Sequence, residues 1–145
     1  MIFIIFKCQK VIKQVKMSLF SNIFGNSDEQ NELNSKVNWI PLTFLGQLDE
    51  LAAFSEQKPA VIFKHSTRCS ISRFALKQFE KEFDLKEEVD AYFLDLLEYR
   101  DISNEIASRF GVYHQSPQLL LIKEGKSVYD VSHDAIDAGE LKEKL

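Results

Sequence analysis

One nucleophile stands out in the run Lys64-His65-Ser66-Thr67-Arg68-Cys69-Ser70-Ile71-Ser72. Cys69 lies between a short apolar segment, Pro59 to Phe63, and a stretch with helical periodicity. A cysteine at a strand-to-helix junction meets unpaired backbone N–H groups and the positive end of the helix dipole, which favours thiolate over thiol. Arg68 is adjacent, Lys64 and His65 lie just upstream, and no acidic residue occurs between Gln57 and Glu80. All of these favour the thiolate. The bland alternative is a buried structural cysteine, but a site flanked by Arg68 and Ser70 is a poor place to bury one. Ser72 stands where a dithiol oxidoreductase would carry its second cysteine. Its hydroxyl either donates to the Cys69 sulfur across one helical turn or is simply solvated or backbone-bonded. It cannot resolve a disulfide. Thr67 either helps cap the helix or is plain loop polarity. A lone activated thiol implies mixed-disulfide chemistry rather than an internal disulfide.

The elements that must position this thiol are readable from periodicity. Val37-Asn38-Trp39-Ile40-Pro41 looks like a short edge strand closed by proline. Thr43 is expected to cap a helix whose buried stripe is Phe44, Leu45, Leu48, Leu51, Ala52 and Phe54. Pro59 to Phe63 is a continuous apolar run, as in a central strand covered on both faces. From Ser70 to Phe83, Ile71, Phe74, Ala75, Phe79 and Phe83 fall on one helical face, with Lys77, Glu80 and Lys81 facing away. Ala91 to Leu96 is a second strand of the parallel type. Asp101 is expected to cap a helix with Ile102, Ile106, Ala107 and Phe110, ended by Gly111. Gln118 to Lys123 and Ser127 to Val131 form a hairpin around Glu124-Gly125. Asp137 to Leu145 is a last helix. The order β-α-β-α-β-α-β-β-α gives an α/β fold: a mixed sheet with helices on both faces.

Composition narrows the function classes. A chain of 145 residues with 45% apolar content is one domain with a real core, and twelve phenylalanines imply that aromatic packing dominates it. A net charge of −4 argues against a nucleic-acid binder, which needs a basic stripe. Cys8 and Cys69 make no disulfide framework, which fits a reduced, cytoplasmic protein. Neither has a CxxC partner or a Cys/His pair at zinc spacing, so no metal site is expected. Met1-Ile-Phe-Ile-Ile-Phe6 is too short for a signal-peptide core or a membrane span. Lys7, Lys10, Lys13 and Lys16 follow, then Met17. The expectation is that translation starts naturally at Met17, leaving Cys69 as the one cysteine; a basic membrane-surface leader is the competing reading. Ser21 to Lys36, rich in Asn, Ser, Asp, Glu and Gln, reads as flexible. Residues 1–36 are thus a lead-in and 37–145 the domain.

The element order, a cysteine opening the helix after a buried strand, and a later Pro before a hairpin strand resemble the thioredoxin fold. Phe110-Gly111-Val112 through Ser116-Pro117-Gln118-Leu119-Leu120 to Gly125 is similar to the segment in which thioredoxins carry a cis-proline. More closely, Lys64 to Ser72, with His114-Gln115-Ser116-Pro117-Gln118 and Ser132-His133, resembles the monothiol bacilliredoxin (YtxJ-like) family over about residues 38–136. Two positions depart from that pattern: Ser70, where the family usually has proline, and Asp134, which replaces an aromatic.

The resemblance implies a thioredoxin-like mixed sheet of four to five strands. It implies Cys69 acting on mixed disulfides between client proteins and bacillithiol, with bacillithiol as co-substrate and no tightly bound cofactor. A cis Ser116–Pro117 bond would set Ser116 backbone groups beside Cys69, where an extended thiol ligand could pair like an added strand. His65 and His114 are candidates for a general base or an anion contact, against the ordinary reading of solvated loop histidines; His133 is a weaker one. The expected partners are S-thiolated clients and a low-molecular-weight thiol, with no nucleic acid and no membrane, and the protein is expected to be a monomer. Two other classes stay open. One is an iron–sulfur carrier like monothiol glutaredoxins, which typically have Gly-Phe where this chain has Ser70-Ile71. The other is a non-catalytic adaptor that binds peptide beside Pro117.

Overall fold

The computed structural model describes residues 35–145, of which 36–145 form one compact unit. The expectations for the lead-in, for Met17 and for Cys8 lie outside the described residues.

Five strands make one mixed sheet in the order β1-β3-β2-β4-β5. They are β1 (Ile40–Pro41), β2 (Ala60–His65), β3 (Asp90–Asp95), β4 (Gln118–Lys123) and β5 (Lys126–Ser132). The chain order adds α1 (Gly46–Phe54), α2 (Ser70–Glu82), α3 (Arg100–Phe110), a 3-10 turn at His133–Ala135 and α4 (Ala138–Glu143). β1 and β2 flank β3 in parallel, whereas β4 runs antiparallel to both β2 and β5. β2 has no polar alternation because it is central, and all six of its residues are buried. Alternating exposure along β5 marks the edge.

The two faces of the sheet are built differently. Val61 and Phe63 point to the side of α2 and α4, where they meet Phe79, Phe83, Leu119, Leu121 and Leu141. Ile62 points the other way, onto Leu48 and Leu51 of α1 and Ile102 and Ile106 of α3. Rings cluster on the first face. Trp39 lies 5.9 Å from Phe63 and 6.1 Å from Phe79, and Phe79 lies 5.5 Å from Phe83. The second face is mainly aliphatic, so aromatic packing dominates only one of the two cores. Phe44, Phe54 and Phe74 are exposed.

Several local expectations change. β1 is two residues long, although Val37 ahead of it is buried. Thr43 does not cap α1. Instead the Gln47 side chain reaches back, its Oε1 accepting from the Thr43 and Phe44 N–H groups at 2.7 and 3.2 Å. Starting α1 at Gly46 turns Phe44, Leu45 and Phe54 outward and leaves Leu48 and Leu51 as its buried residues. Asp101 sits in the first turn of α3, behind Tyr99 at the cap, and favours the helix through its charge at the dipole rather than a cap bond. Gly111 ends α3 at φ 63°, a left-handed conformation that costs glycine little. Asp137 caps α4, Oδ1 accepting from the Glu140 N–H at 2.8 Å. On α2, Ile71 and Phe74 leave the core, and Glu80 turns in to accept from Trp39 Nε1 at 2.7 Å. No described helix is long and apolar enough to cross a membrane.

Candidate functional site

Cys69 is the N-cap of α2, held in extended backbone (φ −107°, ψ 121°) by two bonds of its own peptide groups. Its N–H donates to Ser66 O at 3.2 Å, and its carbonyl accepts from Arg73 N–H at 3.1 Å. The side chain makes no cap bond, the residue is part-exposed, and no acidic residue occupies the first turn. The sulfur therefore sits at the positive end of a 13-residue helix whose first N–H groups have no intrahelical partner. Thr67 and Arg68 lie in the exposed loop just before it. Cys69 itself takes the cap position, so Thr67 does not.

Ser72 is fully buried, and its hydroxyl is committed elsewhere than to sulfur. Its Oγ accepts from the Ser66 N–H at 3.0 Å and lies 2.8 Å from His65 Nδ1. These two bonds tie α2 to the end of β2 and fix the loop that carries Cys69. His65 is buried too, its ring 5.5 Å from Phe93, so it is a positioning residue rather than a solvent-facing base. Burial lowers its pKa; Asp95 opposes that shift and Arg73 adds to it.

The loop between α3 and β4 reaches the same end of β2 from which the Cys69 loop departs. The Ser116–Pro117 peptide is cis. Register Lys64↔Gln118 brings it to the end of β2, and His133, at φ 57°, donates its N–H to Pro117 O at 3.2 Å. Gln118, buried, pins the loop from below: Nε2 donates to Tyr113 O at 2.9 Å and to Asp130 Oδ2 at 3.3 Å, and Oε1 accepts from the Gln115 N–H at 3.2 Å. Ser116 Oγ is buried and has no hydrogen-bond partner among the described residues. A buried hydroxyl in that condition costs on the order of 1–3 kcal/mol, which a ligand group could offset.

Lys64 was legible only as a nearby cation. Strand parity turns it to the α1/α3 face, beside Ile62 and opposite Phe63 and His65. There it is fully buried, its Nζ 2.8 Å from His114 Nδ1, which Ser103 Oγ also approaches at 3.3 Å. Burial and the Lys64 charge both lower the His114 pKa. An ammonium donating to Nδ1 requires the neutral ring with its proton on Nε2. Lys64 and Gln118 are the residues that sequence reasoning missed. Each is a polar residue at the end of an apolar strand run, and that placement was the available signal.

Burial lowers the Lys64 ammonium from 10.5 to about 8. Between these values the unfolded chain binds the extra proton, so the contribution of this group to stability rises with pH from about 8 to 10.5. The gain is about 2 kcal/mol after allowance for solvent screening, and the penalty is complete below that window. Lys64→Met lacks the slope. In urea titrations its stability advantage over the natural chain should shrink by that amount across the window; an unchanged difference contradicts the assignment. Tyr92, raised to about 12 by burial, acts equally in both chains and cancels.

Chemically, this arrangement offers one part-exposed thiol at a helix N-terminus, a bonded serine one turn on, and a cis-proline loop at the same end of β2. Among the described residues there is no second sulfur and no group of three metal-ligating side chains. It suits thiol–disulfide exchange.

Known proteins agree with that chemistry. The family model described as monothiol bacilliredoxin BrxC matches residues 40–141. A solved structure described as having a thioredoxin fold is 33% identical, with a TM-score of 0.63, covering 73% of this chain and 92% of its own. A thioredoxin from Nicotiana alata is 24% identical at TM-score 0.57, covering 74% of this chain and 90% of its own, and supports the fold alone. A poplar thioredoxin h mutant does likewise, at 15% identity and TM-score 0.59, covering 76% and 81%. The chain belongs to the monothiol bacilliredoxin family, a thiol–disulfide oxidoreductase on the thioredoxin fold.

Proposed function

We propose that the protein removes bacillithiol, or a closely similar small thiol, from mixed disulfides on client proteins, using Cys69 alone. The observation that carries this reading is the pairing of a part-exposed Cys69 at the cap of α2 with a buried, doubly bonded Ser72 where a resolving thiol would stand.

The Cys69 thiolate attacks the small thiol's sulfur. The Cys69–small-thiol disulfide forms as the mixed disulfide breaks, and the client leaves as a thiolate that takes a proton from water. A second small-thiol thiolate then attacks the sulfur bound to Cys69, giving the small-molecule disulfide and free Cys69. The client gains two electrons, and two small thiols are joined by losing them. No cofactor need be resident. Backbone N–H groups at the start of α2 stabilise the charge on the attacking and departing Cys69 sulfur. Arg68 adds a positive charge beside it. The orphaned Ser116 hydroxyl and the adjacent cis peptide offer polar groups to an extended ligand. The exposed side of the His114 ring, beyond the Lys64-bonded Nδ1, offers an N–H donor for an anionic group. We place the activity in the cytoplasm of a host with a reduced thiol pool, in a monomer.

The test is the release of free client thiol from an S-bacillithiolated protein supplied with excess bacillithiol. The protein should accelerate release well above bacillithiol alone, and more than it does for the S-glutathionylated client. No acceleration on either client would sink the reading.

A further inference from the structure

The start of α2 presents two ridges that the chemistry at Cys69 does not use. Ile71 and Phe74 were expected in the core, yet they are 58% and 73% exposed. They lie three residues apart, so they stack along one side of the outward helix face. Arg73 and Lys77, four apart, line the other side, both exposed and, among the described residues, neither in an ion pair. Buried Ser72, Ala75 and Phe79 fix this orientation from beneath, so α2 cannot roll to hide the apolar ridge. A protein with a net charge of −4 thus carries a locally basic, apolar strip beginning two residues from its nucleophile.

We infer that this strip is the docking surface for client proteins, and that it selects segments in which the thiolated cysteine is flanked by acidic and large apolar side chains. The inference rests on the thiol-removal reading above and extends it to client choice. Charge decides the occupant. A second copy packed on the same strip would set Arg73 and Lys77 against their equivalents, whereas carboxylates beside the client cysteine would meet both cations. The small thiol itself needs none of these residues. A client-free disulfide should therefore be handled without them.

Three S-bacillithiolated cysteine peptides of equal length test this, with Asp-Leu, Ser-Leu and Lys-Leu flanks. The natural chain should show a kcat/KM about tenfold higher for the Asp-Leu than for the Lys-Leu peptide at low salt, falling as salt rises. Lys77→Glu should cut that preference about two- to fivefold. Phe74→Ser should lower turnover of every peptide about tenfold. Neither substitution should alter turnover of the mixed disulfide of bacillithiol with free cysteine. Equal kcat/KM for all three flanks, or equal losses on the free-cysteine disulfide, would overturn the docking surface while leaving thiol removal standing. A dimer in sedimentation that Phe74→Ser dissociates would overturn it in favour of a second copy. No turnover of any substrate, the free-cysteine disulfide included, would instead overturn the thiol-removal reading, and this inference with it.

Discussion

A Cys69→Ser chain should release client thiol no faster than bacillithiol does unaided, a loss of about three orders of magnitude or more. The hydroxyl is a weak nucleophile without an adjacent base, and among the described residues the Nδ1 atoms of His65 and His114 are already engaged. His65 Nδ1 is bonded to Ser72, and His114 Nδ1 faces the buried Lys64 ammonium. Ser72 cannot substitute, since it is buried and bonded to Ser66 and His65. The loss cannot be blamed on unfolding. Cys69 occupies an N-cap and makes no side-chain cap bond there. Serine is a preferred cap, so the variant should be slightly more stable, by about 0.5–1 kcal/mol. Release assays and urea denaturation on the same preparation check both halves. Residual release above the bacillithiol background would implicate another nucleophile.

The second large effect is on stability. Phe79→Ala should cost about 3–5 kcal/mol, a large share of the 5–15 kcal/mol typical of a whole domain. Phe79 is fully buried, with Trp39, Phe63 and Phe83 around its ring at 6.1, 5.7 and 5.5 Å. These partners come from three different parts of the fold and cannot all collapse inward to fill the void. The helix that loses its anchor is the one that carries Cys69. Chemical denaturation measures the cost, and alkylation of Cys69 by a bulky reagent should accelerate as the helix start loosens. A loss below about 1 kcal/mol would mean that the ring is less central to packing than its contacts imply.

Much of this architecture was legible because β2 and β4 are apolar runs bounded by turn signals, and because periodicity marked α2 and α3. The left-handed Gly111 and the hairpin at Glu124-Gly125 were equally plain. What failed was the facing of individual residues. Ile71, Phe74 and Phe79 were read as one stripe, yet Phe74 lies about 140° from Phe79 around the helix, and of the three only Phe79 reaches the sheet. Ser72 takes the inward position beside Ala75 because it has polar partners waiting in Ser66 and His65. No sequence rule ranks a bonded serine above an isoleucine for burial; the partner has to be seen. The caps failed for a related reason. Thr43 and Asp101 are good capping types, but Gln47 and the Tyr99 start of α3 displaced them. At the site, Cys69 and Pro117 stood out by type. Lys64 did not, because its meaning depends on which sheet face receives it, and parity along β2 sends it away from the sulfur to His114.

These residues divide the work between the two sheet faces. On the α2 side, Ser72 and His65 hold the nucleophile's loop in place. On the α3 side, Lys64 and Ser103 hold His114, while Gln118 secures the cis-proline loop from within β4.

Which sulfur Cys69 attacks decides the mechanism, and intact mass reads it directly. One equivalent of reduced protein is mixed with an S-bacillithiolated client, without added bacillithiol, and quenched with acid. The protein should gain the mass of one bacillithiol on Cys69 as the client loses it. A covalent complex between protein and client, with free bacillithiol released, would show that Cys69 attacks the client's sulfur instead and would contradict the monothiol mechanism.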